Sequence, residues 1–163
     1  MKLRIAGIAN DSIVDGPGLR LTIFAQGCPH FCPGCHNPKT HDVLGGYEID
    51  VEEIINMAEK NPLLSGLTLS GGEPFMQAAA MSVLAGKARR RGLNIIIYTG
   101  YSWEELNENK DFAPLIQEVD YIVDGRFVES LRTLEMPFVG SSNQRIIDVK
   151  KSLAAQEIVL HSF

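Results

Sequence analysis

Residues 27–37 read Gly27-Cys28-Pro29-His30-Phe31-Cys32-Pro33-Gly34-Cys35-His36-Asn37, a C-x3-C-x2-C spacing that holds the only three cysteines of the chain. A disulfide framework spreads an even number of cysteines along a sequence, whereas an odd, local cluster points to a metal. Thiolate is a soft ligand that selects zinc, copper(I) or iron–sulfur clusters. Pro29, Pro33 and Gly34 make the segment irregular enough to wrap its sulfurs inward. A structural zinc site wants a fourth ligand, which His30, His36 or His41 offers, although the usual second C-x2-C or a His pair further on is missing. An iron–sulfur cluster is ordinarily held by four cysteines, so three leave one iron without a protein thiolate and open to a bound substrate. The loop therefore reads as catalytic.

A second segment, Ser70-Gly71-Gly72-Glu73-Pro74, follows the apolar Leu67-Thr68-Leu69. Taken alone it is only a turn. Its glycines would let backbone approach a ligand closely, and Glu73 offers a carboxylate to an ammonium group.

The elements that must position these loops follow from hydrophobic patterning. Residues 19–24, 66–69, 94–98 and 120–123 are short apolar runs bounded by Gly or Asp and predict strands. Asp50 predicts a helix cap, with Glu53 completing a capping box and the helix running to about residue 60 before Asn61-Pro62. A second helix is predicted over 77–91, with Met81, Leu84, Ala85 and Ala88 on one face and Gly92 just past its end. Ser102 and Glu105 form another capping box before a short helix through Leu106. Residues 129–143 read as loop, and 145–149 and 157–160 as further strands. Strands alternating with helices imply parallel pairing, hence an α/β fold in a single domain over 1–163. A full eightfold β/α barrel takes about 250 residues, so any barrel here must be shortened and open.

Fifteen Lys and Arg against twenty Asp and Glu leave a net charge of −5, which argues against a nucleic-acid partner. With 45% hydrophobic and 21% charged residues the composition is that of an ordinary globular protein. No apolar run approaches the roughly 20 residues that cross a bilayer, and Arg4 interrupts the apolar N-terminal residues. A soluble, cytoplasmic protein without a membrane partner is expected. Asp15 and Arg20 are expected to brace their loop as a pair, and Lys87, Arg89, Arg90 and Arg91 to sit at a helix C-terminus.

Together, C-x3-C-x2-C after the first predicted strand and Gly-Gly-Glu after the second resemble the cluster and cofactor loops of the radical S-adenosylmethionine superfamily. Asp15-Gly16-Pro17-Gly18-Leu19-Arg20 resembles the opening of its glycyl-radical activases. Cys35-His36-Asn37, Thr99-Gly100-Tyr101, Val123-Asp124-Gly125-Arg126-Phe127 and Gly140-Ser141-Ser142-Asn143-Gln144-Arg145 are similar, in order, to the branch that activates anaerobic ribonucleotide reductase. The resemblance spans residues 11–148, and the tail 150–163 carries no motif.

This resemblance implies a shortened, open β/α barrel of about six parallel strands with crossover helices. It implies a [4Fe-4S] cluster on Cys28, Cys32 and Cys35, and S-adenosylmethionine bound beside Gly34, Cys35, His36, Gly71, Gly72 and Glu73, with no catalytic side chain beyond cluster and cofactor. An electron from a donor such as a flavodoxin or ferredoxin would then yield methionine and a 5′-deoxyadenosyl radical. That radical would take a hydrogen from a glycine of the large subunit of anaerobic ribonucleoside-triphosphate reductase. Three alternatives stay open: another glycyl-radical partner, small-molecule radical chemistry such as a deazapurine ring contraction, and a zinc-stapled interaction module.

Overall fold

Short runs rich in Leu and Ile, pinned between glycines and acidic residues, form the centre of one seven-stranded sheet. The computed structural model describes Met1–Phe163. Its strands are β1 (Lys2–Ser12), β2 (Arg20–Ala25), β3 (Tyr47–Asp50), β4 (Gly66–Gly71), β5 (Asn94–Tyr98), β6 (Tyr121–Asp124) and β7 (Arg145–Asp148). Its helices are α1 (Val51–Glu59), α2 (Ala78–Arg90), α3 (Trp103–Glu108), α4 (Ala113–Ile116) and α5 (Val149–Ala155). The strand order is β3-β1-β2-β4-β5-β6-β7. Strands β2, β4, β5 and β6 pair in parallel, while β1 runs antiparallel to both β2 and β3, and β7 runs antiparallel to β6.

The parallel core is therefore four strands wide rather than six, and the sheet is open. The expected strand at 157–160 reduces to a single antiparallel bridge between Ile147 and Leu160, whose side chain is largely exposed. Strands β1 and β3, absent from the expectation, extend the sheet on the far side of β2.

Alternation along the strands gives the sheet two different faces. Leu21, Ile23, Leu67, Leu69, Ile95, Ile97 and Ile122 join Ile54, Ile55, Met81, Leu84 and Ala85 of α1 and α2 in one core cluster of 28 buried residues. The alternate residues Arg20, Thr22, Thr68 and Ile96 are equally buried but lie outside that cluster. Over them folds the loop 13–19, where Thr68 Oγ1 donates to the carbonyl of Asp15 at 2.9 Å.

Arg20 and Asp15 do not form the expected pair. The Arg20 guanidinium instead donates to Thr68 Oγ1 (2.7 Å) and to the carbonyls of Pro17, Leu67 and Asn94, and burial lowers its pKa to about 10. Five fixed donors match a ring of buried acceptors better than one carboxylate.

The helix ends behave largely as expected. Asp50 caps α1 by accepting from the Glu52 amide, without the reciprocal bond from Glu53. At α3 both halves of the Ser102–Glu105 capping box are present. Three of the four cations at the end of α2 are tied to neighbouring segments, Lys87 to Glu52, Arg89 to Glu118 and Arg91 to Glu59.

Candidate cluster and cofactor site

Ligands of parallel sheets bind outside the carboxyl ends of the strands, and the chemistry-bearing loops of this chain gather there. Beyond the end of β2, the Gly27 amide donates to the Thr40 carbonyl (2.7 Å) and the Cys28 amide to the His41 carbonyl (3.3 Å). Beyond β4, the Gly72 amide donates to Ala25 O (2.7 Å) and the Glu73 amide to Gly27 O (2.8 Å), which ties the glycine loop to the root of the cysteine loop. A Cβ on Gly72 would stand 2.3 Å from Gly27 O, so glycine is demanded there by backbone packing before any ligand arrives. Beyond β5, Thr99-Gly100-Tyr101 closes the third side.

These loops line a cavity of about 360 Å³, within the ordinary range for small-molecule and cofactor sites. Cys28, Cys32 and Cys35 all face it as free thiols of intermediate burial. Burial pushes the Cys28 thiol above its ordinary pKa. His36, Gly71 and Gly72 share the lining, while Gly34 and Glu73 do not.

Glu73 is fully buried. Its carboxylate accepts from Thr99 Oγ1 (2.8 and 2.9 Å), the Gly100 amide (2.9 Å) and the Phe75 amide (3.1 Å), and lies 2.7 Å from His30 Nε2. The carboxylate expected to meet an ammonium is thus turned into the protein.

The far wall comes from the irregular segment before β7. Val123–Phe127 and Gly140–Arg145, which the sequence presented as separate motifs, brace each other. Asn143 Nδ2 donates to Arg126 O (2.8 Å) and Gln144 Nε2 to Gly125 O (3.0 Å). Arg145 meets the buried Asp124 at 2.6 Å. This bracing sets Phe127, Phe138, Val139 and Gly140 against the cysteines, with the Phe127 ring 5.1 Å from that of His36. Phe138 and Val139 carried no signal in the sequence, because an apolar residue in a loop says nothing about which cavity it will wall.

The donor set fits a multi-iron cluster. His41, which also lines the cavity, keeps a buried Nε2 without a hydrogen-bond partner. No three His, Cys, Asp or Glu side chains of the chain close on one point as a single metal ion requires. Three thiols on one cavity are the soft donor set that iron–sulfur clusters take.

Comparison with known proteins agrees with this geometry. The family described as "4Fe-4S single cluster domain" matches residues 14–147. The anaerobic ribonucleoside-triphosphate reductase-activating protein of Escherichia coli is 36% identical over 140 residues, covering 81% of this chain and 90% of that protein. Its Vibrio cholerae counterpart is 32% identical over 142 residues, covering 82% and 90%. A pyruvate formate-lyase-activating enzyme of Clostridium pasteurianum is 35% identical over 127 residues, covering 72% of this chain and 53% of that enzyme. With three thiols on one cavity and relatives of this identity along most of its length, the chain belongs to the family of anaerobic ribonucleoside-triphosphate reductase-activating proteins, built on a 4Fe-4S single cluster domain.

Proposed function

We propose that the chain is a radical S-adenosylmethionine activase whose substrate is the large subunit of anaerobic ribonucleoside-triphosphate reductase. The observation that carries this reading is the single cavity shared by Cys28, Cys32, Cys35 and the glycine loop of β4. Cys28, Cys32 and Cys35 would hold a [4Fe-4S] cluster. When bound and reduced by one electron from an external donor, the cluster would supply the chemistry that splits S-adenosylmethionine into methionine and a 5′-deoxyadenosyl radical, which would take a hydrogen atom from a glycine of the partner.

The rest falls to side chains and backbone. Cys35, His36, Gly71 and Gly72 border the space for S-adenosylmethionine, and the backbone at Gly71 and Gly72 can approach it without side-chain obstruction. Gly34 supplies the turn between Cys32 and Cys35 with φ +75°. Glu73 supports this edge from behind. Phe127, Phe138 and Val139 present an apolar wall that keeps water from a reactive carbon radical.

The finer architecture belongs to the same reading. All of the core helical packing lies on one face of the sheet, so the sheet's twist would curl its other face around the cavity as a shortened barrel. Its open side would admit the partner's glycine loop. The continuous 28-residue core supports a single working domain over 1–163. The three thiols are only partly buried, which leaves a path for a small electron donor such as a flavodoxin or ferredoxin. Unpaired thiols suit the reducing cytoplasm.

The test is anaerobic reconstitution with iron and sulfide, followed by addition of dithionite and S-adenosylmethionine. The reading predicts about four irons per chain and formation of 5′-deoxyadenosine. Protein that takes up zinc alone and forms no 5′-deoxyadenosine contradicts it.

A further inference from the structure

His30 lies between two cysteines in sequence, yet its ring is bonded away from them. Its side chain is only 3% exposed, its Nε2 stands 2.7 Å from Glu73 Oε2, and its ring packs edge-on against Tyr101 with centroids 4.6 Å apart. Because the other partners of Glu73 are all donors, the carboxylate accepts throughout and His30 Nε2 carries the hydrogen. Gly100 completes the fit, since a Cβ there would stand 2.3 Å from the imidazole.

Beyond the His30–Glu73 bond, the His30 and Phe31 amides donate to the Cys28 thiol, and the Phe31 and His36 rings pack against His41 and Phe127. From Pro29 to His36 the backbone makes one main-chain hydrogen bond, Cys35 N to Cys32 O at 3.1 Å, and Phe31 adopts φ +48°. Glu73 grips the loop on both sides of Cys28, with its amide on Gly27 O and its carboxylate on His30.

We propose that His30 is a positioning residue that, with Glu73 and Thr99, latches the cysteine loop to the ends of β4 and β5 before cluster or cofactor is bound. The consequence for the cluster rests on the function proposed above; the latch itself does not. A loop already in place holds thiols at fixed positions instead of being ordered by the iron, and ligand supports of this kind strengthen metal binding.

The experiment uses the full chain in two states. In metal-free, reduced protein, amide hydrogen exchange is measured at Cys28, Glu73 and Gly100, whose amides are all hydrogen-bonded around the latch. His30→Phe should raise exchange there by about tenfold while leaving β4 and β5 protected. His30→Gln, which keeps a donor for Glu73, should recover most of the protection. Gly100→Ala, which keeps the histidine but displaces its ring, should loosen the same amides. In loaded protein, loss of iron to a chelator should be about tenfold faster in His30→Phe than in wild type, and close to wild type in His30→Gln.

Unchanged exchange in both His30→Phe and Gly100→Ala overturns the latch. Iron loss as fast in His30→Gln as in His30→Phe also overturns it, because the ring itself and not its bond to Glu73 would then matter. If His30→Phe fails to fold, Gly100→Ala alone decides by the same exchange criterion. A wild-type chain that binds no iron would instead refute the proposed function, and the exchange arm would still be readable.

Discussion

Cys28, Cys32 and Cys35 do different work from the residues that hold them, and substitution should separate the two. Each thiol ends in the cavity, so changing any one to Ala should shift stability of the metal-free protein by no more than about 1 kcal/mol. Iron retained after reconstitution should nevertheless fall below about a tenth of wild type if, as proposed, these thiolates are the ligands. Iron analysis beside thermal unfolding checks both. His41 gives the complementary case. Its buried Nε2 lacks a partner, and an unsatisfied buried group costs about 1–3 kcal/mol. Metal-free His41→Phe should therefore unfold at or above the wild-type temperature, and a drop of several degrees would contradict this. The cysteine spacing was legible in the sequence because ligand chemistry restricts residue type. The roles of His30, His41 and the Glu73 carboxylate were not, because they depend on three loops meeting beyond three different strands.

Elements were legible where burial is two-sided. Strands β2, β4, β5 and β6 are buried on both faces and read as short runs dominated by Leu, Ile and Val, with Arg20, Thr22, Thr68 and Asp124 as the buried polar residues among them. Strand β1 carries Arg4, Asn10 and Asp11 and is broken by register shifts, and β3 has exposed Tyr47 and Glu48, so neither shows a clean period. Leu69 stands fully buried in the centre of the sheet, and Leu69→Ala should cost about 2–5 kcal/mol by chemical denaturation. The Ser102–Glu105 box at α3 should be worth about 1 kcal/mol, readable as the loss in Ser102→Ala. Glu105, held by the Ser102 amide, and Glu104, held by Arg145, both have carboxyl pKa values below the ordinary range. Lowered folded-state values mean that their contribution is complete above the ordinary carboxylate range and fades as pH falls through the lowered values. Glu104→Gln should therefore flatten the acid limb of the stability curve, and a curve identical to wild type would contradict this. The effect will be small, because both groups are largely solvated.

At the scale of the molecule, the open sheet places all three cysteines and the glycine loop at one edge of the parallel strands, under a wall built by the mutually braced 123–127 and 140–145 segments. An open sheet was expected, but the antiparallel direction of β1, β3 and β7 was not readable. Pairing direction depends on which strands become neighbours and not on any one strand's composition. An edge site of this kind suits a macromolecular substrate that must bring a backbone glycine to the cavity. The most direct test is electron paramagnetic resonance of the anaerobic reductase large subunit after incubation with the reconstituted chain, S-adenosylmethionine and a strong reductant. The account predicts a glycyl-radical doublet on the reductase that disappears with Cys28→Ala. Formation of 5′-deoxyadenosine with no doublet on the reductase would contradict the assignment of that partner, and the absence of both would contradict the site itself.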